Sequence, residues 1–205
     1  MNASLITGLN TPAGIAVSGS NLFVVNYDAG TIGEYTTSGA TVNASLITGL
    51  SNPWGIAVSG GVLFVANESG GIGEYTTSGA TVNASLVSGF SNPLGIAVSG
   101  ADLFVVGFSG KVGEYTTSGA TVNASLITGL NPSEGIAVYG GNLLVVNGTT
   151  IGEYTTSGAT VNASLITGLN LPYGIALVTP EPSSLILASL GLTGLTAWGW
   201  PRRKR

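Results

Sequence analysis

A fourteen-residue string occurs four times in this chain without a single change. Gly-Glu-Tyr-Thr-Thr-Ser-Gly-Ala-Thr-Val-Asn-Ala-Ser-Leu begins at Gly33, Gly73, Gly113 and Gly152, at spacings of 40, 40 and 39 residues. Each copy is preceded by Gly-Ile-Ala-Val, from Gly14, Gly55, Gly95 and Gly135, and by an apolar run: Leu22–Val25, Leu63–Ala66, Leu103–Val106 and Leu143–Val146. Such a period limits the fold to units that stack on their own copies, a propeller or a helical array. Helices are set aside, because Ser-Gly, Gly-Gly or Asn-Pro interrupts the chain every 8–12 residues and no apolar 3.6-residue pattern survives. Four short strands fit each unit. In the first they are A, Ile15–Ser18; B, Leu22–Asn26; C, Ile32–Thr36; and D, Val42–Ile47. Their β-branched and aromatic content suits an antiparallel sheet. The expected fold is all-β, a β-propeller of about 40-residue four-stranded blades with strand A innermost. A parallel β-solenoid is the alternative.

Pro-x-Gly-Ile-Ala-Val, then Leu-Phe-Val-x-Asn, then Ile-x-Glu-Tyr resembles the NHL-type and related six- or seven-bladed β-propellers across about residues 2–178. That resemblance implies a fold and leaves the role open. Four complete blades are expected, with partial strands at both ends: a lone D strand at Asn2–Leu9 and a lone A strand at Gly174–Val178. Met1-Asn2-Ala3-Ser4-Leu5 has no basic region and no long apolar run of a signal peptide. Both features fall at one end, so the expectation is an N-terminally truncated propeller domain over residues 1–178.

Residues 179–205 form a second segment. Pro180-Glu181-Pro182 precedes an apolar run from Leu185 to Trp200, and the chain ends Arg202-Arg203-Lys204-Arg205. The order of short motif, apolar span and basic cluster resembles a PEP-CTERM sorting signal. In Gram-negative bacteria such tails are recognised by a membrane enzyme, an exosortase, which the resemblance implies as a partner. The apolar run makes a helix of roughly 24–27 Å at 1.5 Å per residue, slightly short of a hydrocarbon core of about 30 Å. A single transmembrane helix over 185–200 is expected, with the cations cytoplasmic and the body periplasmic. Trp198 and Trp200 lie beside the charges, at interfacial positions. The expected route is transient residence in the inner membrane, then the cell surface or secretion.

The body carries one lysine (Lys111), no arginine, no histidine and eight carboxylates, a formal charge of −7. It cannot neutralise a phosphate backbone, so nucleic acid is excluded as a partner. Without cysteine there are no disulfides and no thiolate metal sites.

Alternating strands divide the loops between two faces. The C–D turn Thr-Thr-Ser-Gly-Ala is the same in every copy, and the A–B turn barely changes. Variation concentrates in the D–A loops, where Ala13, Trp54, Leu94, Glu134 and Tyr173 precede a glycine, and in the B–C loops. Binding residues gather in loops held by a rigid scaffold. The candidate binding residues are Trp54, Tyr173, Tyr27, Phe108, Asp28 and Glu68, facing a polysaccharide or a protein; neutral drift of loop residues is the competing account. Glu34, Glu74, Glu114 and Glu153, each beside a tyrosine on strand C, are read as structural, for instance bonding across to the next blade, and no metal or cofactor is assigned. Asn-Ala-Ser recurs in strand D but is not expected to be glycosylated in a bacterial chain. Nor is a catalytic residue assigned, since there is no His, no Cys and no Gly-x-Ser-x-Gly. The expected function is that of an exported, non-enzymatic surface or matrix binding or scaffold protein. The alternative is a propeller hydrolase or lyase with a carboxylate-bound metal, and a minor one is ice binding through the Thr-rich outer strands.

Overall fold

The structure, a computed structural model, describes residues 4–177. Sixteen strands form four four-stranded antiparallel sheets, each in simple sequence order. The first sheet holds β1 (Pro12–Ser18), β2 (Asn21–Asn26), β3 (Thr31–Thr36) and β4 (Thr41–Ile47). The second holds β5 (Pro53–Ser59), β6 (Val62–Asn67), β7 (Gly71–Thr76) and β8 (Thr81–Val87). The third holds β9 (Pro93–Ser99), β10 (Asp102–Gly107), β11 (Val112–Thr116) and β12 (Thr121–Ile127). The fourth holds β13 (Ile136–Tyr139), β14 (Asn142–Asn147), β15 (Thr150–Thr155) and β16 (Thr160–Ile166). These are propeller blades, as the repeat predicts. The proposed sorting motif, transmembrane helix and basic tail lie outside the described residues.

Period-2 alternation sends one side chain to each face of a blade, and both faces are apolar at the middle strands. In β2, Phe23 and Val25 point toward the second sheet, while Leu22 and Val24 point the other way. The result is one packed layer at each blade junction. The first joins Phe23, Val25, Ile32 and Ile47 to Ile56, Leu63, Val65 and Tyr75. The second joins Phe64, Ala66, Ile72 and Val87 to Ile96, Leu103, Val105 and Tyr115. The third joins Phe104, Val106, Val112 and Ile127 to Ile136, Leu143, Val145 and Tyr154.

The A strands are innermost. β1 packs on β5, β5 on β9 and β9 on β13. Their close approach explains the glycine of Gly-Ile-Ala-Val: a Cβ on Gly14 would stand 2.5 Å from the Trp54 carbonyl oxygen, and one on Gly95 equally near that of Glu134. The outer strands repeat one irregularity. In all four sheets the C–D pairing shifts register on either side of the strand C glutamate, between Ile32 and Glu34 and again before Tyr35 in the first. Beyond the blades, residues 4–9 and 171–175 occupy the places of an outer and an inner strand without strand geometry. Ile6 and Leu9 pack on Leu22, Val24 and Tyr35. At the other end, the Tyr173 carbonyl and Gly174 lie against Gly135, as Leu94 and Gly95 lie against Gly55.

Candidate functional site

Backbone hydrogen bonds tie the loops into the two sets expected from the sequence. On one face the B–C loops bond the D–A loops: Tyr27 N donates to Thr11 O (3.1 Å), Glu68 N to Asn52 O (3.0 Å) and Phe108 N to Asn92 O (3.3 Å). On the other face the C–D turns bond the A–B turns, Thr37 N to Ser20 O (2.8 Å) and Thr117 N to Ala101 O (2.8 Å). The B–C loops of the first, third and fourth blades also receive the start of the following D–A loop, as when Leu50 N donates to Gly30 O (3.0 Å).

At the junction of the first and second blades this scaffold brings together three of the six candidates. The rings of Tyr27 and Trp54 meet edge to face, 5.3 Å between centroids at 82°. The Tyr27 hydroxyl donates to Glu68 Oε2 (2.9 Å) and accepts from Asn52 Nδ2 (2.8 Å). Asn52 holds φ at +52°, a left-handed conformation that asparagine tolerates better than most residues. Tyr27, Trp54 and Glu68 are half-buried, so each keeps surface toward solvent. Two fixed aromatic rings beside a carboxylate and a carboxamide can stack on an apolar ring face and hydrogen-bond its hydroxyls. Asn52 was not singled out in the sequence; its signal is the Asn-Pro step two residues before Trp54.

The other three candidates stand apart from that cluster. Asp28, exposed, accepts a hydrogen bond from the Thr11 hydroxyl. Phe108 is exposed in the third blade's B–C loop, and Tyr173 is exposed beyond the fourth. Phe108 shares its junction with Glu134, which takes the place Trp54 holds at the first. Burial raises the Glu134 carboxyl above the usual carboxylate range, and its Oε2 has no hydrogen-bond partner among the described residues. Beside it Ser133 is fully buried and donates to Val146 O. Lys111 Nζ lies 5.4 Å from the centre of the Phe90 ring, a cation–π contact at the second junction.

Several repeated polar residues have structural partners. Asn26 Oδ1 accepts from Asn10 N (3.1 Å) and Asn147 Oδ1 from Asn131 N (2.8 Å), fastening the D–A loop to the end of the second strand. Two of the strand C glutamates, Glu34 and Glu153, bond within their own blade and not across to the next one. Asn21 Nδ2 donates to Glu34 Oε1 (2.7 Å) and Asn142 Nδ2 to Glu153 Oε1 (2.7 Å), because antiparallel pairing sets the two positions near each other. The third blade has Asp102 in that position. There burial, and then the Asp102 charge, raise the Glu114 carboxyl. In the Asn-Ala-Ser strands, Asn43 Oδ1 accepts from Ser45 N (3.0 Å), and the other three copies do the same. Among the described residues no three of His, Cys, Asp and Glu gather closely enough to hold a metal ion.

Comparison with known proteins bears on both segments. Residues 178–203 match the PEP-CTERM protein-sorting motif. The match takes in Pro180-Glu181-Pro182, the apolar run and the first two cations, Arg202 and Arg203. No curated protein sequence matches the chain significantly. Solved structures do. A chain of the nidogen/laminin complex is 19% identical, with 82% of this chain and 68% of that chain covered and a TM-score of 0.71. A gluconolactonase from Xanthomonas campestris is 15% identical, with coverages of 83% and 68% and a TM-score of 0.66. A streptogramin B lyase is 19% identical, with coverages of 78% and 56% and a TM-score of 0.64. At these identities the likeness establishes the fold. The chain is a β-propeller with a PEP-CTERM motif, which marks it for exosortase processing, export and surface localisation.

Proposed function

We propose that this protein is a non-enzymatic surface or matrix component that binds a polysaccharide through the Tyr27, Trp54, Asn52 and Glu68 cluster. Its tail crosses the inner membrane transiently with the body periplasmic, and exosortase processing then releases the body to the surface or beyond. The observation that carries the reading is the edge-to-face Tyr27–Trp54 pair with its bonded glutamate. It lies on the face where the repeats diverge, while the scaffold beneath it does not change. A body with one lysine and eight carboxylates suits a neutral glycan better than an anionic one.

Titration of the full chain with neutral cello-, malto- and manno-oligosaccharides tests this by tryptophan fluorescence. Trp54 is the one tryptophan of the body, and Trp198 and Trp200 of the tail are a constant background. Binding should quench or shift Trp54, and Trp54→Ala should weaken retention on the matching polysaccharide about 10-fold or more. Retention unchanged by Trp54→Ala would remove the cluster from the site.

A second reading, a hydrolase or lyase with a carboxylate-bound metal, draws on Glu134, whose buried oxygen has no hydrogen-bond partner among the described residues. A panel of lactone and glycoside substrates, assayed with and without a chelator, separates the two. Turnover abolished by Glu134→Gln would favour the enzyme.

A further inference from the structure

Blade packing in this protein is one joint built three times. The trailing side of a joint offers residues from all four strands of one blade, such as Ala16, Phe23, Val25, Ile32 and Ile47. The leading side of the next blade answers with Ile56, Leu63, Val65 and Tyr75.

The first sheet also has a leading face and the fourth a trailing face. Among the described residues no blade stands against either. Ile15 is 59% exposed, whereas its counterparts Ile56, Ile96 and Ile136 are 8%, 7% and 8% exposed. Val17, on the same strand, is 57% exposed. At the other end Ile166 is 46% exposed, against 4%, 4% and 7% for Ile47, Val87 and Ile127. β13 does not pack on β1 as it packs on β9, so these faces do not close on each other. Each carries the residues of one half of the internal joint. What fits the first is a trailing face of this sequence, and what fits the second is a leading face.

We infer that two copies of the chain associate head to tail. The trailing face of the fourth sheet in one copy docks on the leading face of the first sheet in the other, as a further repetition of the internal joint. The contact is heterologous, so the two copies meet through different surfaces. The apolar side chains now in water supply the driving force.

Part of the site is already held by a stand-in. The segment Asn-Ala-Ser-Leu-Ile-Thr-Gly-Leu at residues 2–9 repeats residues 162–169 letter for letter. Ile6 and Leu9 cover Leu22, Val24 and Tyr35. The Leu5 carbonyl lies against Gly39 as that of Leu46 lies against Gly79. The partner's β16 therefore competes with an identical sequence for one seat. What the partner adds is the rest of its blade: Leu144 and Ile151, half-buried in the single copy, and cover for Ile15 and Val17. Displacement of residues 4–9 is a strand exchange between equals, and the added burial decides it.

The test uses the full chain in a mild detergent, followed by sedimentation velocity. Ile15→Asp breaks the leading face and Ile166→Asp the trailing face. Both residues are exposed in the single copy, so each variant should fold and melt with the parent diluted below its association range; Val17→Asp is the substitute if Ile15→Asp does not fold. The parent should self-associate, and either variant alone should weaken association about 30-fold or more. An equimolar mixture of the two should regain a heterodimer, because each variant keeps the face the other has lost. A monomeric parent, variants that associate like the parent through the apolar tail, or a mixture that stays monomeric would each overturn the inference.

Discussion

On the turn face, Thr36, Thr76, Thr116 and Thr155 make one set of bonds four times. Each threonine N donates to the alanine carbonyl four residues on at 2.8 Å, each hydroxyl accepts from that alanine's N at 3.0 Å, and each meets the serine hydroxyl at 2.8 Å. On the loop face, the equivalents of Trp54 are Ala13, Leu94, Glu134 and Tyr173, so the side chain at that position differs at every junction. The same strands feed both faces. The difference teaches that the turn face registers one blade against the next, whereas the loop face tolerates change at the Trp54 position because backbone bonds, and the Asn26 and Asn147 carboxamides in the first and fourth blades, hold its loops whatever residue stands there.

The largest effect should follow from disturbing the turn face. Gly119 has φ of +89°, and a Cβ there would stand 2.5 Å from the Leu86 carbonyl oxygen of the preceding blade. Gly119→Ala combines left-handed strain with a clash against backbone, at a cost of about 3 kcal/mol. For a domain of this size that lowers Tm by about 6–12 °C. Trp54→Ala on the loop face should lower it far less. Equal losses in a thermal melt would break the comparison between faces.

The repeat made the turn face legible and the loop face only partly so. Strand ends are legible to within a residue for β2, β3 and β4, because turn residues bracket them. β1 starts at Pro12, earlier than Ile15, since a bulge lets Pro12 pair with Asn26. The necessity of glycine before Glu-Tyr was not readable either; on Gly113 a Cβ would stand 2.9 Å from the Tyr115 ring. Tyr27, Trp54, Phe108 and Tyr173 all belong to the variable loops, yet an aromatic pair needs both partners at one junction. Among the described residues only the first junction supplies them, while the third has Phe108 and Glu134 at the equivalent positions. The role of Asn52 is not legible in the sequence, because it depends on a left-handed backbone at φ +52° that the Asn-Pro step only hints at.

A smaller effect sharpens the loop side of the comparison. Tyr27→Phe keeps the ring against Trp54 but deletes the hydroxyl that joins Asn52 to Glu68. Both lost partners reach water, so the cost should be about 1 kcal/mol, a Tm change of about 2–4 °C. The cluster's role in binding would show as a larger loss in oligosaccharide affinity than in stability. Affinity kept intact while Tm falls would make the hydroxyl a structural bridge alone.

The smallest effect comes from the start of the second strand of each blade, where Asn21 and Asn142 give way to Val62 in the second blade and Asp102 in the third. Asn21 and Asn142 donate to Glu34 and Glu153, but the third blade sets Asp102 beside Glu114. Burial first, and the Asp102 charge second, raise the Glu114 carboxyl in the folded state. A raised carboxylate pKa means that the folded protein holds this proton more tightly than the unfolded chain does. Glu114 therefore opposes folding once pH is above the folded value. The penalty fades as pH falls through the window between the folded and the unfolded values, and it is absent below both. Asp102→Asn removes the charge contribution and can donate to Glu114 as Asn21 does to Glu34. It should stabilise the domain at neutral pH by less than about 1 kcal/mol, since the pair is near solvent. The gain should shrink as the solution is acidified through the carboxylate range. A gain of the same size at neutral and acidic pH would assign it to packing. No gain at all would mean that solvent already screens the two carboxylates, and that the asparagines of the first and fourth blades are interchangeable with aspartate.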